Sequence, residues 1–292
     1  MKILFFIYCF LLSAVAGAQS ASYYNWSGYP LAVYEQPSVK AKILGKIPVG
    51  QKVEVISGSK APAYTIYLSY YGDTASQKKE TSGEINNTGS FYPLRTSWVK
   101  ITGKQTAGYV PRGFLSRIPP KALYQKDETD HRDLEISLRR AMKVYFGRAL
   151  SYKKQKLAKQ STEEIHFAEH YLFPGKVTYT VTQQYVEKDG PGGEEHRIFL
   201  PNTSLHEAVL FLLEITNAGS FRPEEKKSVN TIKSRYDFFS WWYQPNQYDE
   251  KGNSVNDKNR IDFEYYAEGG SSSASFIQKS GGVEIVYAFG GC

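Results

Sequence analysis

Apolar and polar residues alternate in short runs through the first third of the chain, and turn residues separate these runs. The runs lie at residues 31–37, 42–57 and 96–115. Alternation with a period of two puts successive side chains on opposite faces of a strand, so each run predicts β-structure. Gly50 and Gly103 stand where the pattern needs turns, and Gly108 where two backbones approach closely. Strands at such short intervals are typical of a small antiparallel barrel.

The pattern changes to a helical period after residue 131. Apolar residues three or four positions apart form the stripe Leu134, Leu138, Ala141, Met142, Tyr145 and Ala149. Such a stripe predicts an amphipathic helix, with the neighbouring basic residues on its other face. Strand-like alternation at 177–188, a Gly-rich turn at 189–193 and a second run at 196–201 predict a hairpin.

A second and far more apolar helix is predicted to begin at Ser204. Ser204 and Glu207 have the spacing of a capping box, and His206 between them belongs to the same motif. The segment AVLFLLEIT that follows must be buried on most of its surface. Strand-like segments separated by Gly and Ser turns then follow at 261–268, 273–278 and 282–289.

Two modules of different architecture follow from these patterns. Residues 27–118 are predicted to form the antiparallel barrel, and 119–130, which begin with two prolines, form a linker. Residues 131–292 are predicted to form an α+β domain in which an antiparallel sheet packs on one or two helices. The fold class is therefore mixed, β followed by α+β.

The first module resembles a bacterial SH3-like domain. The resemblance rests on the ordered series Leu31, Val33, Pro37, Ser38, Ile43, Leu44, Gly45, Gly50, Val53, Val55, Trp98, Val99, Ile101, Gly103, Gly108, Tyr109, Val110 and Leu115. It implies a binding module of an exported bacterial protein that recognises a cell-wall peptide or a protein partner. The chain departs from the family in one place, because a long insertion at 58–95 replaces a short loop.

Tyrosine and tryptophan side chains are the candidate ligand-binding residues of this module. They are Tyr34, Tyr67, Tyr70, Tyr71, Trp98 and Tyr109. Three of them, Tyr67, Tyr70 and Tyr71, lie within the stretch TIYLSYYG, which predicts a hairpin extension within the insertion. Exposed tyrosines among polar residues suit a ligand surface. The alternative is that these rings pack on the barrel or on the second module.

Residues 1–18 have the pattern of a secretory signal peptide. One lysine precedes an apolar run that ends in Ala16-Gly17-Ala18. An uncleaved membrane anchor is the alternative, but the run is short for a span. No later segment is long and apolar enough to span a bilayer, so we expect an exported protein that is periplasmic, secreted or held at the cell surface. Cys9 leaves with this segment and Cys292 has no partner, so no disulfide is expected.

The basic residues are concentrated in one segment, from Arg139 to Lys159. Lys and Arg exceed Asp and Glu by 36 to 29 in the whole chain, and this segment contains no acidic residue. One interpretation is the solvated face of a helix. The other is contact with an anionic surface such as an envelope polymer or lipid headgroups. Nucleic acid is not expected as the partner of an exported protein.

The pentapeptide HFAEH at 166–170 has the His-x-x-Glu-His spacing of one class of zinc hydrolases. On a helix, His166, Glu169 and His170 would share one face. The same segment also alternates like a strand, and a strand would lose that geometry. Zinc catalysis further needs a third protein ligand, which Glu207, Glu214 or His196 would have to supply.

The sequence favours an exported, non-catalytic binding protein without a cofactor, whose SH3-like module recognises a cell-wall peptide or an envelope protein. The alternative is a cell-wall hydrolase with zinc at His166, Glu169 and His170. Other catalytic motifs are missing, because the chain has no G-x-S-x-G elbow and no phosphate-binding P-loop. A cysteine peptidase is excluded because the only cysteine after the signal segment is terminal.

Overall fold

A computed structural model describes most of the chain outside the N-terminal segment. The described residues are 20–27, 30–56, 62–69, 91–103, 106–121, 134–157, 165–185, 192–216, 231–233, 242–244, 247–248, 254–255, 259–267 and 270–291. Within them the fold is mostly antiparallel β-sheet with two α-helices, as the mixed, β-rich fold class predicts. Neither helix is long and apolar enough to cross a membrane.

The first sheet is built largely from the first 116 residues. Its strands in chain order are β1 (Ser20–Asn25), β2 (Leu31–Tyr34), β3 (Ile43–Ile47), β4 (Lys52–Ile56), β5 (Ala63–Ser69), β6 (Phe91–Thr102), β7 (Ala107–Pro111) and β8 (Leu115–Ser116). The spatial order along the main path is β3–β2–β7–β6–β4–β1–β8, and each neighbouring pair is antiparallel. The alternating runs thus form strands as predicted. Strand β1, which precedes the predicted module, pairs with both β4 and β8.

Two glycines in this sheet have the roles that the sequence predicts. Gly50 has φ +74° in the turn between β3 and β4. A Cβ atom on Gly108 would lie 2.6 Å from the Tyr34 carbonyl oxygen and 2.7 Å from Val33 Cγ1. A side chain at position 108 would therefore push β7 away from β2, so the close approach of these strands depends on glycine.

The hairpin extension predicted within the insertion is also present. Strand β5 pairs with the first half of β6 from Ala63 opposite Ser97 to Ser69 opposite Phe91. Backbone N–H of Trp98 continues this ladder by donating to the Pro62 carbonyl, at 3.0 Å. The centre of the insertion, residues 70–90, lies outside the described residues.

The second sheet and both helices follow in the chain. The elements are α1 (Leu134–Phe146), β9 (Ser151–Lys156), β10 (Ile165–Leu172), β11 (Thr178–Tyr185), β12 (Gly192–Pro201), α2 (Leu205–Thr216), β13 (Thr231–Lys233), β14 (Trp242–Gln244), β15 (Gln247–Tyr248), β16 (Ser254–Val255), β17 (Arg260–Ala267), β18 (Gly270–Lys279) and β19 (Gly282–Gly291). Eight strands form the order β14–β17–β18–β19–β12–β11–β10–β9, and β15 pairs with β16 alone. Strand β13 returns to the first sheet, where it pairs with β5 in parallel.

Most elements predicted after residue 131 are confirmed, but the interpretation of the basic segment as one helix face is wrong. Helix α1 ends at Phe146, and Gly147 follows with φ +82°. Lys153, Lys154 and Lys156 lie on β9, an edge strand of the second sheet in the described part of the chain. A left-handed residue directly after the last helical turn ends the helix, so the basic stretch divides between two elements.

One continuous core joins the two sheets. Buried apolar residues of β1–β8, of both helices and of the second sheet belong to a single cluster. Helix α2 is at its centre, and Ala208 to Leu212 are almost fully buried. Tyr145 links the two sides, because its ring lies 6.1 Å from Trp26 and 5.1 Å from Phe211. The burial that the apolar helix needs is therefore provided by both sheets.

An ion pair between a buried carboxylate and a partly exposed guanidinium crosses this junction. Glu207, whose side chain is 1% exposed, accepts hydrogen bonds from Arg117 N, Nε and Nη2 at 2.8, 3.1 and 2.9 Å. The same carboxylate accepts from Ser204 N and Oγ at 3.1 and 2.7 Å, which confirms the capping box. Burial alone would raise the pKa of Glu207, but the bonds from Arg117 lower it to about 2.

Substituting Glu207 with Gln should destabilise the protein by roughly 3 kcal/mol at pH 7, because Arg117 and Ser204 would lose their charged acceptor in a buried place. The folded-state pKa of Glu207 lies below its ordinary value of 4.5. The stabilisation is therefore complete above pH 4.5 and is lost as the pH falls towards 2.

The measurement is urea unfolding of the unchanged chain and of Glu207→Gln between pH 7 and pH 3. Glu35→Gln, at an exposed position on the same molecule, is the control and should change the free energy of unfolding by less than about 0.5 kcal/mol. A stability difference for Glu207→Gln that stays constant over this pH range would contradict the assignment.

Candidate functional site

Three aromatic rings form a cluster on the first sheet. Trp98, on β6, is 3% exposed and lies between Tyr34 of β2 and Tyr64 of β5. The ring centroids of Tyr34 and Trp98 are 5.4 Å apart at 89°, and those of Tyr64 and Trp98 are 4.9 Å apart at 70°. Both contacts are edge to face, which is a favourable geometry for aromatic pairs. Trp98 thus anchors the cluster, and Tyr64 contributes a half-buried ring from the hairpin extension.

The candidate ligand-binding residues divide into three groups. Tyr34 and Trp98 belong to the cluster, and half-buried Tyr109 pairs in register with Tyr34 where β2 meets β7. The backbone of Tyr67 is on β5, opposite Pro93. Tyr70 and Tyr71 lie outside the described residues. The structure therefore gathers Tyr34, Trp98 and Tyr109 in one neighbourhood and adds Tyr64, which was not among the candidates.

The phenols of Tyr34 and Tyr64 stay protonated at physiological pH. Burial raises the pKa of both Tyr34 and Tyr64, because the phenolate would lose its hydration. A protonated phenol both donates and accepts a hydrogen bond. Each tyrosine therefore combines an apolar ring with a polar tip, which suits contact with a peptide.

The HFAEH segment is strand β10 and not a helix, so the helical His-x-x-Glu-His geometry is wrong. Consecutive strand residues point to opposite faces, which separates Glu169 from His170. His170 Nδ1 lies 3.1 Å from Thr180 Oγ1 on the next strand. Glu169 instead points to the face that carries α1. Strand pairing on both edges of β10 decides the conformation of this segment, and its four-residue spacing is incidental.

The Glu169 carboxylate belongs to a partly buried polar network centred on Arg139 of α1. Arg139 Nε is 3.3 Å from Glu169 Oε2, and Arg139 Nη2 is 3.1 Å from Glu194 Oε1. Glu169 also accepts a hydrogen bond from Tyr171 at 2.8 Å and lies 3.5 Å from Lys154 Nζ. A single guanidinium therefore bridges two carboxylates on strands β10 and β12.

The network continues across the sheet to His196, which is fully buried. Tyr179 Oη is 2.9 Å from His196 Nδ1, and His196 Nε2 is 3.1 Å from Glu194 Oε2. Neither atom of the second contact takes part in a hydrogen bond, so this contact is only a close approach of the two side chains. Gln183 donates to Glu194 Oε1 from the neighbouring strand. Tyr179 and His196 also stack, at 8° between ring planes.

The charges of the network favour carboxylates that remain ionised. Burial alone would raise the pKa of Glu194, but its contacts with His196 and Gln183 and the charge of Arg139 lower it to about 2. Burial alone would also raise the pKa of Glu169, but its hydrogen bonds with Tyr171 and Arg139 lower that pKa below its ordinary value. Neither carboxyl group carries a proton to donate near pH 7, so the network does not supply a general acid from these groups.

A metal site does not follow from the described residues. No three His, Cys, Asp or Glu side chains in that part of the chain are grouped to hold a metal ion. Two of the third ligands considered have other partners: Glu207 binds Arg117, and His196 contacts Tyr179 and Glu194. Burial raises the pKa of Glu214, which disfavours the ionised carboxylate that a metal requires.

The Arg139 network was not predicted from the sequence. Its signal was present, since alternation in β12 can be extended backwards from the predicted strand at 196–201. Glu194, His196, Ile198 and Leu200 then share one face, and two polar residues lie on the face that the apolar residues bury. Buried polar residues require partners, which points to a network. Only the strand register shows that Gln183 lies opposite Glu194.

Comparison with models of protein families, with curated proteins and with solved structures finds no match to this chain. The two clusters must therefore be interpreted from their own geometry. The aromatic cluster offers half-buried tyrosines on a rigid base, and the Arg139 network is enclosed between α1 and the second sheet. The first is built like a contact surface and the second like a structural network.

Replacing Arg139 with Met should destabilise the protein by roughly 3 kcal/mol at pH 7, because Glu169 and Glu194 would be left ionised without their shared cation. Loss of the cation raises the pKa of both carboxyl groups, so they take up protons more readily in the variant. The difference in stability between the variant and the unchanged chain should therefore narrow as the pH falls from 7 to 4.

Denaturant unfolding at both pH values measures this, with Lys143→Met on the exposed face of the same helix as the control. Adding Glu194→Gln to Arg139→Met should restore part of the lost free energy of unfolding, because one unpaired buried charge is removed. Equal losses for Arg139→Met and Lys143→Met would contradict the bridging role.

Proposed function

We propose that this chain is an exported binding protein whose first module is SH3-like and recognises a cell-wall peptide or an envelope protein. The observation that carries the proposal is the aromatic neighbourhood of Tyr34, Tyr64, Trp98 and Tyr109 on the first sheet. No cofactor and no catalytic residue is assigned. The residues that contact the ligand in this proposal are Tyr64 and Tyr109, with Tyr34 and Trp98 as their support.

The strand order supports an SH3-like barrel. The first and last strands of the module in chain order, β1 and β8, pair with each other, so both ends of the module lie side by side in one sheet. β2 and β3 form a hairpin whose first strand reaches β7, while β4, β6 and β7 form a continuous antiparallel run. The residues that carry the resemblance also occupy structural positions, since Val33, Val53, Ile101 and Val110 are buried together.

The character of the aromatic neighbourhood supports binding of an extended peptide. A half-buried tyrosine offers a rigid apolar ring at low cost in side-chain entropy and a hydroxyl for a backbone group of the ligand. The Trp98 anchor is already covered by Tyr34 and Tyr64, so the rings are held in place before a ligand arrives. Such preorganisation lowers the entropy that binding must overcome.

The N-terminal pattern supports export. A short apolar run that ends in Ala16-Gly17-Ala18 is what a signal peptidase site requires. The zinc-dependent hydrolase has no comparable support, because Glu169 and His170 point to opposite faces of β10 and Glu169 is bound by Arg139. Binding without catalysis is therefore the function that this geometry favours.

The chain without residues 1–18 should co-sediment with purified peptidoglycan sacculi. Removing the stem peptides from the sacculi should abolish retention if the ligand is a wall peptide. The double substitution Tyr64→Ala and Tyr109→Ala should weaken binding about tenfold, as expected when two tyrosines are lost from a contact surface. Binding curves from sedimentation, with circular dichroism to check folding, measure this.

The double substitution Val39→Ala with Val49→Ala is the matched control, because both side chains are exposed on the first module and neither belongs to the aromatic neighbourhood. Its retention should equal that of the unchanged chain. The proposal for the wall ligand is wrong if the unchanged chain is not retained, or if the double tyrosine variant is retained as well as the control. Retention that persists on sacculi without stem peptides would contradict peptide recognition and indicate the glycan.

A further inference from the structure

We infer that the corner formed by Leu150, strand β9 and the end of β10 docks on the surface of an anionic lipid bilayer. This β9 corner, defined as residues 148–156 with Leu172, is separate from the aromatic neighbourhood of the first module. It does not depend on the proposed peptide ligand. Three features of the corner support this inference: exposed apolar side chains, an excess of positive charge and its position at a sheet edge.

Exposed apolar side chains meet at this corner. Leu150 is 68% exposed and Tyr152 is 54% exposed, and Leu172 is exposed as well. The backbone N–H of Leu150 donates to the Leu172 carbonyl at 2.7 Å, so these two leucines are neighbours in space. The Tyr152 ring lies 4.9 Å from Tyr171 on the paired strand. Apolar side chains exposed at neighbouring positions on both faces of one sheet edge indicate a contact site.

Positive charge surrounds these side chains. Arg148, Lys153, Lys154 and Lys156 are all exposed, and no acidic residue occurs between positions 136 and 162. One described carboxylate reaches the corner: Glu169 lies 3.5 Å from Lys154 Nζ and 3.4 Å from the Tyr152 hydroxyl, and it is shared with Arg139. Among the described residues, the four cations of the corner therefore outnumber the single carboxylate that contacts it.

A sheet edge alone does not explain this composition. Lysines on an edge strand oppose strand addition, so the lysines of β9 argue against another β-strand as the partner. Protection of an edge needs polar residues, and it gives no reason to expose Leu150 and Tyr152. Apolar side chains that project among lysines instead match an interface where the apolar groups enter the headgroup region and the cations meet anionic lipids.

The test uses the chain without residues 1–18, sedimented with vesicles of phosphatidylcholine alone or with about a third of phosphatidylglycerol. Binding should require phosphatidylglycerol and weaken at high salt, since the charges are exposed. The variant Lys153→Glu with Lys156→Glu should bind at least about tenfold more weakly. Lys42→Glu with Lys46→Glu, which changes the net charge equally on exposed residues of the first sheet, is the matched control and should bind like the unchanged chain.

A fluorescent label tests insertion of the apolar part. Cys292 is the only cysteine after the signal segment, so Cys292→Ser with Leu150→Cys creates a single site for an environment-sensitive dye. The emission should shift to shorter wavelength with vesicles that contain phosphatidylglycerol. The same dye on Val49→Cys, an exposed position on the first sheet, should not shift.

Three results would overturn the inference. The first is equal binding to both kinds of vesicle, and the second is equal loss of binding in the corner variant and in the matched control. The third is that the unchanged chain binds neither kind of vesicle but does bind a soluble anionic wall polymer, and that only the corner variant loses this binding. That last result would assign the corner to a polyanion and exclude the bilayer.

Discussion

The architecture depends on one buried carboxylate. Glu207, in the first turn of α2, accepts hydrogen bonds from the N–H and hydroxyl of Ser204. Through both oxygens it also binds Arg117, which directly follows strand β8 of the first sheet. A carboxylate with 1% exposure must have its hydrogen bonds satisfied, because its hydration has been lost. The same group therefore fixes where the helix begins and where the first sheet sits on it. The apolar residues of α2 are placed between the two sheets as a consequence, and the single core follows.

The Arg139 network imposes a second constraint, which acts on register. Glu194 and His196 occupy the face of β12 that also carries Ile198 and Leu200, and a shift by one residue would turn all four outwards. An apolar face alone would tolerate several packings. Glu194 must reach both Arg139 and Gln183, and the observed packing satisfies this requirement. The network thus favours one arrangement of α1 on the sheet over others, which is a recognised use of buried polar groups.

Local pattern predicted more of this fold than of its sites. Alternating runs with glycine turns predicted β2, β4 and β7, the requirement for glycine at 108, and the capping box of α2, because those features depend on near neighbours. HFAEH was ambiguous because helical spacing and strand alternation both fit it, and only pairing with β9 and β11 decides between them. Strand β9 was not predicted, because its consecutive lysines interrupt the alternation of apolar and polar residues that indicates a strand. The partners of Arg139 and the cluster around Trp98 join residues that are distant in sequence, so no local rule contains them.

The shared core has a consequence for the two proposed contact surfaces. The aromatic neighbourhood belongs to the first sheet and the β9 corner to the second, and the contacts of Glu207 and Tyr145 join the two sheets through one core. The separation of the surfaces is then set by the fold. A second contact made after the first costs little further rotational entropy when both surfaces belong to one rigid body. Weak attachment to a bilayer would in this way raise the local concentration of the aromatic surface near the wall. Each contact can then be weak by itself, and the two contacts together still retain the protein at the envelope.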